Sequence, residues 1–173
     1  MKEFVQLLAV AVASGGLALL GVHLTNRHNL QLQLATRREQ SQIAQRGLII
    51  DVLVVGREWA DTQLVLVPAM SRFSDSDYLE FVDTDTGVRL RELRRNLDAA
   101  LIKSTLAVTD QDLRMQLQGI SDFVAGFADE VNGPILRERG ELDPVLNGIT
   151  AIRSLQSSLL QLQTTTVLRL PPQ

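Results

Sequence analysis

Five carboxylates crowd one short stretch of the chain: Asp75, Asp77, Glu80, Asp83 and Asp85 fall between Ser71 and Gly87, with Ser and Thr among them. Clustered acids suit divalent-metal binding and carboxylate chemistry. A calcium loop needs glycine at its sixth position and a bidentate acid at its twelfth. Counted from Asp83, glycine arrives one position early, at Gly87, and Arg94 stands where the acid belongs. The plainer reading is a turn whose Asp and Thr residues cap the next helix, with the acids facing its positive start.

The run Phe81-Val82-Asp83-Thr84-Asp85-Thr86-Gly87 resembles the strand-plus-aspartates of the haloacid dehalogenase phosphatases. The order of its last two residues departs from that motif, and no downstream lysine or acidic pair completes it. A hydrolase or phosphatase using Asp83 and Asp85 predicts lost activity on Asp83→Asn. Composition excludes cysteine- and histidine-based chemistry in the domain. The chain has no Cys, which removes disulfides, thiolate zinc sites and cysteine nucleophiles. Its only histidines, His23 and His28, sit near the amino end, which excludes a histidine triad or histidine metal site further on. No catalytic, cofactor-binding or metal-ligating set is assigned, and no small-molecule substrate or cofactor is expected.

The most concentrated basic group is Arg89, Arg91, Arg94 and Arg95. Net charge of -3 and a pI near 5.4 argue against a general nucleic-acid binder, and no aromatics interleave these arginines. Anionic headgroups or a protein partner suit them better, each cation near such a membrane surface contributing about 1 kcal/mol. The competing reading is a solvated face salted by Glu92 and Asp98, where surface pairs contribute little.

The elements that position these groups begin with Phe4 to Leu24, 21 residues without a charge. As a helix rising about 1.5 Å per residue, that run matches the roughly 30 Å hydrocarbon core of a bilayer. It is read as an uncleaved membrane span. A signal peptide cut after Ala11-Val12-Ala13 would leave too short an apolar core, and a buried helix would be shorter or amphipathic. Arg27, Arg37 and Arg38 follow the span, while Lys2 precedes it beside Glu3. That asymmetry predicts a cytoplasmic carboxyl-terminal domain. Small residues at Ala9 and Ala13, and at Ala11 and Gly15, would allow two spans to approach closely. His23 is expected at headgroup level.

The 149 residues after Leu24 suffice for one domain with a core. Few aromatics and abundant Leu, Ala, Gln and Arg favour helices. The span is expected to continue as a helix from Thr25 to Val67, stopped by Pro68, although Leu48 to Val55 is rich enough in β-branched residues for a strand to compete. Trp59 reads as core. A second helix is predicted from about Thr86 to Val108, with Leu90, Leu93, Leu97, Ala100 or Leu101, and Ser104 on one face. A third opens at Thr109 as N-cap and carries Leu113, Leu117, Ile120, Val124, Phe127 and Val131 in a heptad seam, stopped by Asn132-Gly133-Pro134. A fourth follows Asp143 as N-cap, with Pro144 first and Val145, Ile149, Ile152, Leu155, Leu159 and Leu162 on one side.

The expected fold class is therefore all-α: an N-terminal transmembrane helix continuing into a long helix, followed by an antiparallel helical bundle of about four helices. The divisions are 1-24, anchor; 25-67, stalk and first bundle helix; 68-170, remaining bundle helices; 171-173, frayed tail. The stalk's Gln-rich surface could pair with a second copy.

Gly21-Val22-His23-Leu24-Thr25-Asn26-Arg27-His28-Asn29 and the Gln- and Arg-rich helix after it resemble uncharacterised small bacterial and phage single-pass membrane proteins with an N-terminal span and a helical domain. The resemblance covers the first third of the chain and implies a bacterial inner-membrane location and this topology, with no chemistry attached. Two functions are weighed beside the phosphatase. One is a non-enzymatic interaction protein presenting a cytoplasmic bundle, with the lipid bilayer and a protein partner or second copy as partners. The alternative is a periplasm-facing helical rod of the phage inner-membrane spanin type, which needs the opposite orientation.

Overall fold

The computed structural model describes residues 2–171, with side chains from His23 onward except that of Leu24. Every regular element among them is helical: α1 Lys2–Met70, α2 Asp75–Asp83, α3 Asp85–Ala107, α4 Gln111–Phe127, a π turn Ala128–Asn132, α5 Gly133–Arg137 and α6 Leu142–Arg169. The chain divides into two compact units, residues 1–42 and 43–173.

In the first unit the backbone is helix throughout its described length. The side chains of the expected span Phe4 to Leu24, His23 apart, lie outside the described residues. Among the described residues, no helix is long and apolar enough to cross a membrane. From Thr25 to Gln42 every side chain is exposed, including Leu30, Leu32 and Leu34. The strand-like alternation of these leucines yields to helix, because a lone strand here would have no neighbour to pair its backbone.

In the second unit four helices enclose one core: α1 from residue 43 onward, α3, α4 and α6. The 48–55 run is helical, with Ile49, Val52 and Leu53 buried and Ile50 and Val54 exposed. Trp59 is 1% exposed and meets the edge of Phe127, ring centroids 4.8 Å apart at 71°. The contacts fix the directions. Ser104 donates to the Leu48 carbonyl (3.0 Å) while Arg89 reaches Glu58, so α3 runs against α1. Gln116 donates to Thr165 (3.0 Å) and Arg169 pairs with Asp112, so α6 runs against α4. Arg57 bonds Gln163 and Gln156 donates to Asp61 (2.8 Å), so α6 also runs against α1, and the four helices alternate in direction as expected.

Close packing is set by small residues. A Cβ on Gly56 would stand 3.0 Å from a Leu159 methyl, and one on Gly148 3.0 Å from Val131 and 3.1 Å from Val67. The α3 seam buries Leu93, Leu97, Leu101 and Ser104, and the α4 seam buries Leu113, Leu117, Ile120, Val124 and Phe127, both as the spacing predicts.

The ends of the elements differ more. Pro68 does not stop α1, which runs on to Met70; proline's φ is helical, and the lost ladder bond falls in the last turn, where Ser71 donates to the Pro68 carbonyl (2.9 Å). The N-cap of α4 is Asp110, accepting from Leu113 N–H (3.1 Å), rather than Thr109. Thr109 instead gives its own N–H to Gln45 Oε1 (3.2 Å). Asn132-Gly133-Pro134 does not end the third bundle helix. The chain widens into the π turn, Gly133 N–H bonding five residues back to Ala128, and continues as α5. The last helix starts at Leu142, before Asp143, after a turn through Gly140 at φ 82°. Leu170 is buried at its far end, and Pro172 and Gln173, two of the three tail residues, lie outside the described residues.

Candidate functional site

The acidic stretch is itself a helix where a turn was expected. Ser74 caps α2, its hydroxyl accepting from Asp77 N–H (3.2 Å) while Asp77 Oδ2 accepts from Ser74 N–H (2.8 Å). This reciprocal box was present in the sequence as Ser74-x-x-Asp77, ahead of Tyr78 and Leu79. The side-chain and backbone bonds from Ser74 hold the Asp77 carboxyl below its ordinary value. Asp75 is paired with Arg139. Asp83 closes α2 and Asp85 opens α3. Between them Thr84 accepts from Gly87 N–H (3.2 Å), the cap expected for this segment. Among the described residues no three acids or histidines stand where they could share a metal ion.

Gly87 is required where α2 meets α3. A Cβ there would lie 2.2 Å from the Phe81 carbonyl oxygen and 2.8 Å from that of Val82, so only glycine lets α3 begin against the end of α2.

The four arginines of α3 have separate roles. Arg89 pairs across the surface with Glu58 (2.6 Å), with 73% and 43% of the two side chains exposed. Arg91 turns back to the Val82 carbonyl (2.8 Å) and so ties α3 to α2. Arg94 uses Nε to bond both oxygens of Asp98 one turn on (3.1 and 3.3 Å). Among the described residues Arg95 makes no hydrogen bond or ion pair. Three of the four, Arg91, Arg94 and Arg95, nonetheless line one cavity of about 270 Å³; Arg89 is outside it.

Three elements build that cavity. From α3 come the arginines and Leu90, which fall on one face because residues three and four apart are helical neighbours. From α1 come Trp59 and Gln63, again one turn apart, and from α4 and its π turn come Phe127, Ala128 and Asn132. The lining contains no carboxylate. Gln63 is 3% exposed, and its Oε1 has no hydrogen-bond partner; the same holds for the buried Oδ1 of Asn132. An unpaired buried acceptor costs roughly 1–3 kcal/mol, so two on neighbouring lining residues are unusual, although both oxygens are shielded from the cavity and its accessible lining is almost wholly apolar. The π turn marks the same place, since such widenings concentrate at functional sites.

The sequence singled out the arginines but not their opposite wall. Gln63 follows Asp61 and Thr62 directly, ahead of the apolar run 64–67, and falls one turn after Trp59, which is the signal that places it on the buried face. Asn132, followed by Gly133 and Pro134, reads in the sequence as part of a helix stop.

A second, larger cavity of about 500 Å³ lies under α2, lined by Val65, Leu66, Ala69, Phe73 and Phe81 with Asp61, Thr62 and Thr86 at its edge. Like the first it is mainly apolar, and none of the unpaired buried groups among the described residues belongs to its lining.

Comparison of the chain with protein-family models, with curated proteins and with solved structures returned no match.

Proposed function

We propose that this chain is a non-enzymatic, single-pass membrane protein of a bacterial inner membrane that presents its helical bundle on the cytoplasmic side, as a scaffold, regulator or subunit of a complex. The observation that carries the reading is the uncharged run Phe4 to Leu24 at the head of the unbroken helix Lys2–Met70. Its length suits a bilayer, and Arg27, Arg37 and Arg38 beyond it favour retention of the following domain inside. The bundle offers docking chemistry: an arginine-lined cavity, and acids engaged in caps and ion pairs.

Fractionation tests the anchor: the full chain should stay with membranes after an alkaline wash and leave them only with detergent. Recovery in the aqueous fraction refutes it. A reporter fused after Gln173, active only in the cytoplasm or only outside it, tests the side. External activity refutes the cytoplasmic bundle and favours the spanin-like rod.

A further inference from the structure

We propose that α1 carries a self-association seam, Ile43, Gly47, Ile50 and Val54, on which the same seam of a second copy of this chain packs in parallel. The parallel direction rests on the membrane reading above, since two chains anchored in one bilayer hold α1 the same way round; the charges beside the seam require it independently.

Between residues 43 and 54, six positions of α1 are exposed: Ile43, Ala44, Gly47, Ile50, Asp51 and Val54. Only one of the six is polar. Ile43 is 64% exposed, Ile50 45% and Val54 61%, where a helix face turned to water is ordinarily polar, and Ile49, Val52 and Leu53 already serve the core from the opposite face. The spacing of Ile43, Gly47, Ile50 and Val54 is 4, 3, 4, the alternation of d and a positions in a coiled coil, which keeps all four on one side. The last helix widens this strip. Arg57 bonds Gln163 and α6 runs against α1, so Val167, one turn past Gln163, stands level with Val54, about one turn before Arg57. Val167 is exposed as well.

The flanks of the strip select its occupant. With Ile43 and Ile50 at d, and Gly47 and Val54 at a, Arg46 falls at g and Asp51 at e. In a parallel pair each g residue meets the e residue five positions further along the other helix. Arg46 of one copy therefore meets Asp51 of the second, and twofold symmetry makes the contact twice. An antiparallel pair sets g against g and e against e, so these opposite charges would not meet. Both groups are available, because among the described residues neither side chain takes part in an ion pair or hydrogen bond. The next charges along α1 are engaged within the bundle, Arg57 by Gln163, Glu58 by Arg89 and Asp61 by Gln156, and they close the strip at that end.

The chain has no cysteine, so a single introduced one reports its own neighbours. Full-length Ile43→Cys, Ile50→Cys and Val54→Cys variants in membranes are oxidised briefly with copper phenanthroline and run on non-reducing gels. Leu106→Cys on α3, 81% exposed, is the control. Each seam variant alone should give a product of twice the chain's mass, and the control should not. Asp51→Arg, at an exposed position, brings like charges together and should slow the Ile43→Cys cross-link roughly fivefold; adding Arg46→Asp should restore it. No slowing, or a loss that Arg46→Asp fails to reverse in a protein of unchanged helical circular dichroism, refutes the charge pairing. Equal products from Leu106→Cys and the seam variants, or none from the seam variants, overturn the proposal. A product of any other mass assigns the strip to a different protein and overturns it too. A cross-link that forms only when Ile43→Cys and Val54→Cys chains are mixed shows an antiparallel pair and refutes the parallel seam. A chain recovered in the aqueous fraction refutes the anchor alone: the seam stands if the same cross-links form there and falls if they do not.

Discussion

Replacing Gln63 by leucine should make the protein more stable. Gln63 is 3% exposed on the inner side of α1, and its Oε1 is buried without a donor. Leucine has a similar reach, removes that acceptor and adds apolar contact beside Trp59 and Leu90. Relief of one unpaired buried oxygen amounts to about 1–3 kcal/mol. For a helical unit spanning residues 43–173, each kcal/mol moves the melting midpoint by about 3–5 °C. The control is Gln116→Leu. Gln116 Oε1 is likewise unpaired, but its Nε2 donates to Thr165 Oγ1 at 3.0 Å, so leucine there forfeits a bond of about 0.5–1.5 kcal/mol. The two variants should therefore separate, Gln63→Leu melting clearly above the parent and Gln116→Leu close to it. Thermal denaturation followed by far-ultraviolet circular dichroism reads both. A Gln63→Leu protein that melts at or below the parent would mean that its oxygen is satisfied in solution.

The glycines divide by what surrounds them. Gly47→Ala and Gly119→Ala meet nothing within 4 Å on exposed helix and should each raise stability by roughly 0.5–1 kcal/mol, whereas Gly87→Ala should lower it by about 1–3 kcal/mol because carbonyl oxygens block the new methyl. Denaturant melts should show the opposite signs; a neutral Gly87→Ala would refute the close approach of α2 and α3. Asp77 should titrate below an ordinary aspartate, moving back toward the usual range in Ser74→Ala, as followed by carboxyl-carbon NMR. Because the folded value is depressed, the cap's contribution is fully present above the ordinary aspartate range, near 3.9, and is lost as pH falls through the lower folded value. An Asp77 that titrates at or above the ordinary value contradicts the capping box. Arg89→Ala should change stability by well under about 1 kcal/mol, its pair with Glu58 being largely exposed; a larger loss would show that the pair is sequestered in solution.

Periodicity carried the interior of the bundle. Leu93, Leu97 and Leu101 on α3, and Leu113 through Phe127 on α4, are buried where a spacing of three and four places them, because one apolar stripe per helix has a single stable arrangement among four. Boundaries were less legible. Pro68 and Pro134 look like stops, but a proline near a helix end removes a bond that neighbouring geometry can replace. The acidic stretch reads as loop because four of its five carboxylates lie on a short helix with no buried residue, α2, and the fifth opens α3. Its capping box was readable, since both bonds join residues three apart. Gln45 holding Thr109 N–H and Ser104 reaching Leu48 were not readable, because partners 64 and 56 residues apart meet only through the fold.

The same distinction explains the cavity. Arg91, Arg94 and Arg95 share a face by helical spacing alone, but a basic face by itself is most simply a solvated one. It becomes a wall because α4 continues beyond Phe127. Pro134 removes a donor from the ladder, and the chain widens in the turn directly before it, where Gly133 N–H reaches back to Ala128. That turn brings Ala128 and Asn132 to the cavity beside Phe127. A regular helix through this turn would follow a different phase of side chains, and removing the proline tests the connection. Pro134→Ala should let the segment tighten toward α-helix and raise local protection against hydrogen exchange, although residue 134 is not itself among the lining residues. Unchanged exchange would show that the widening is set elsewhere, and that Asn132 reaches the cavity without the proline.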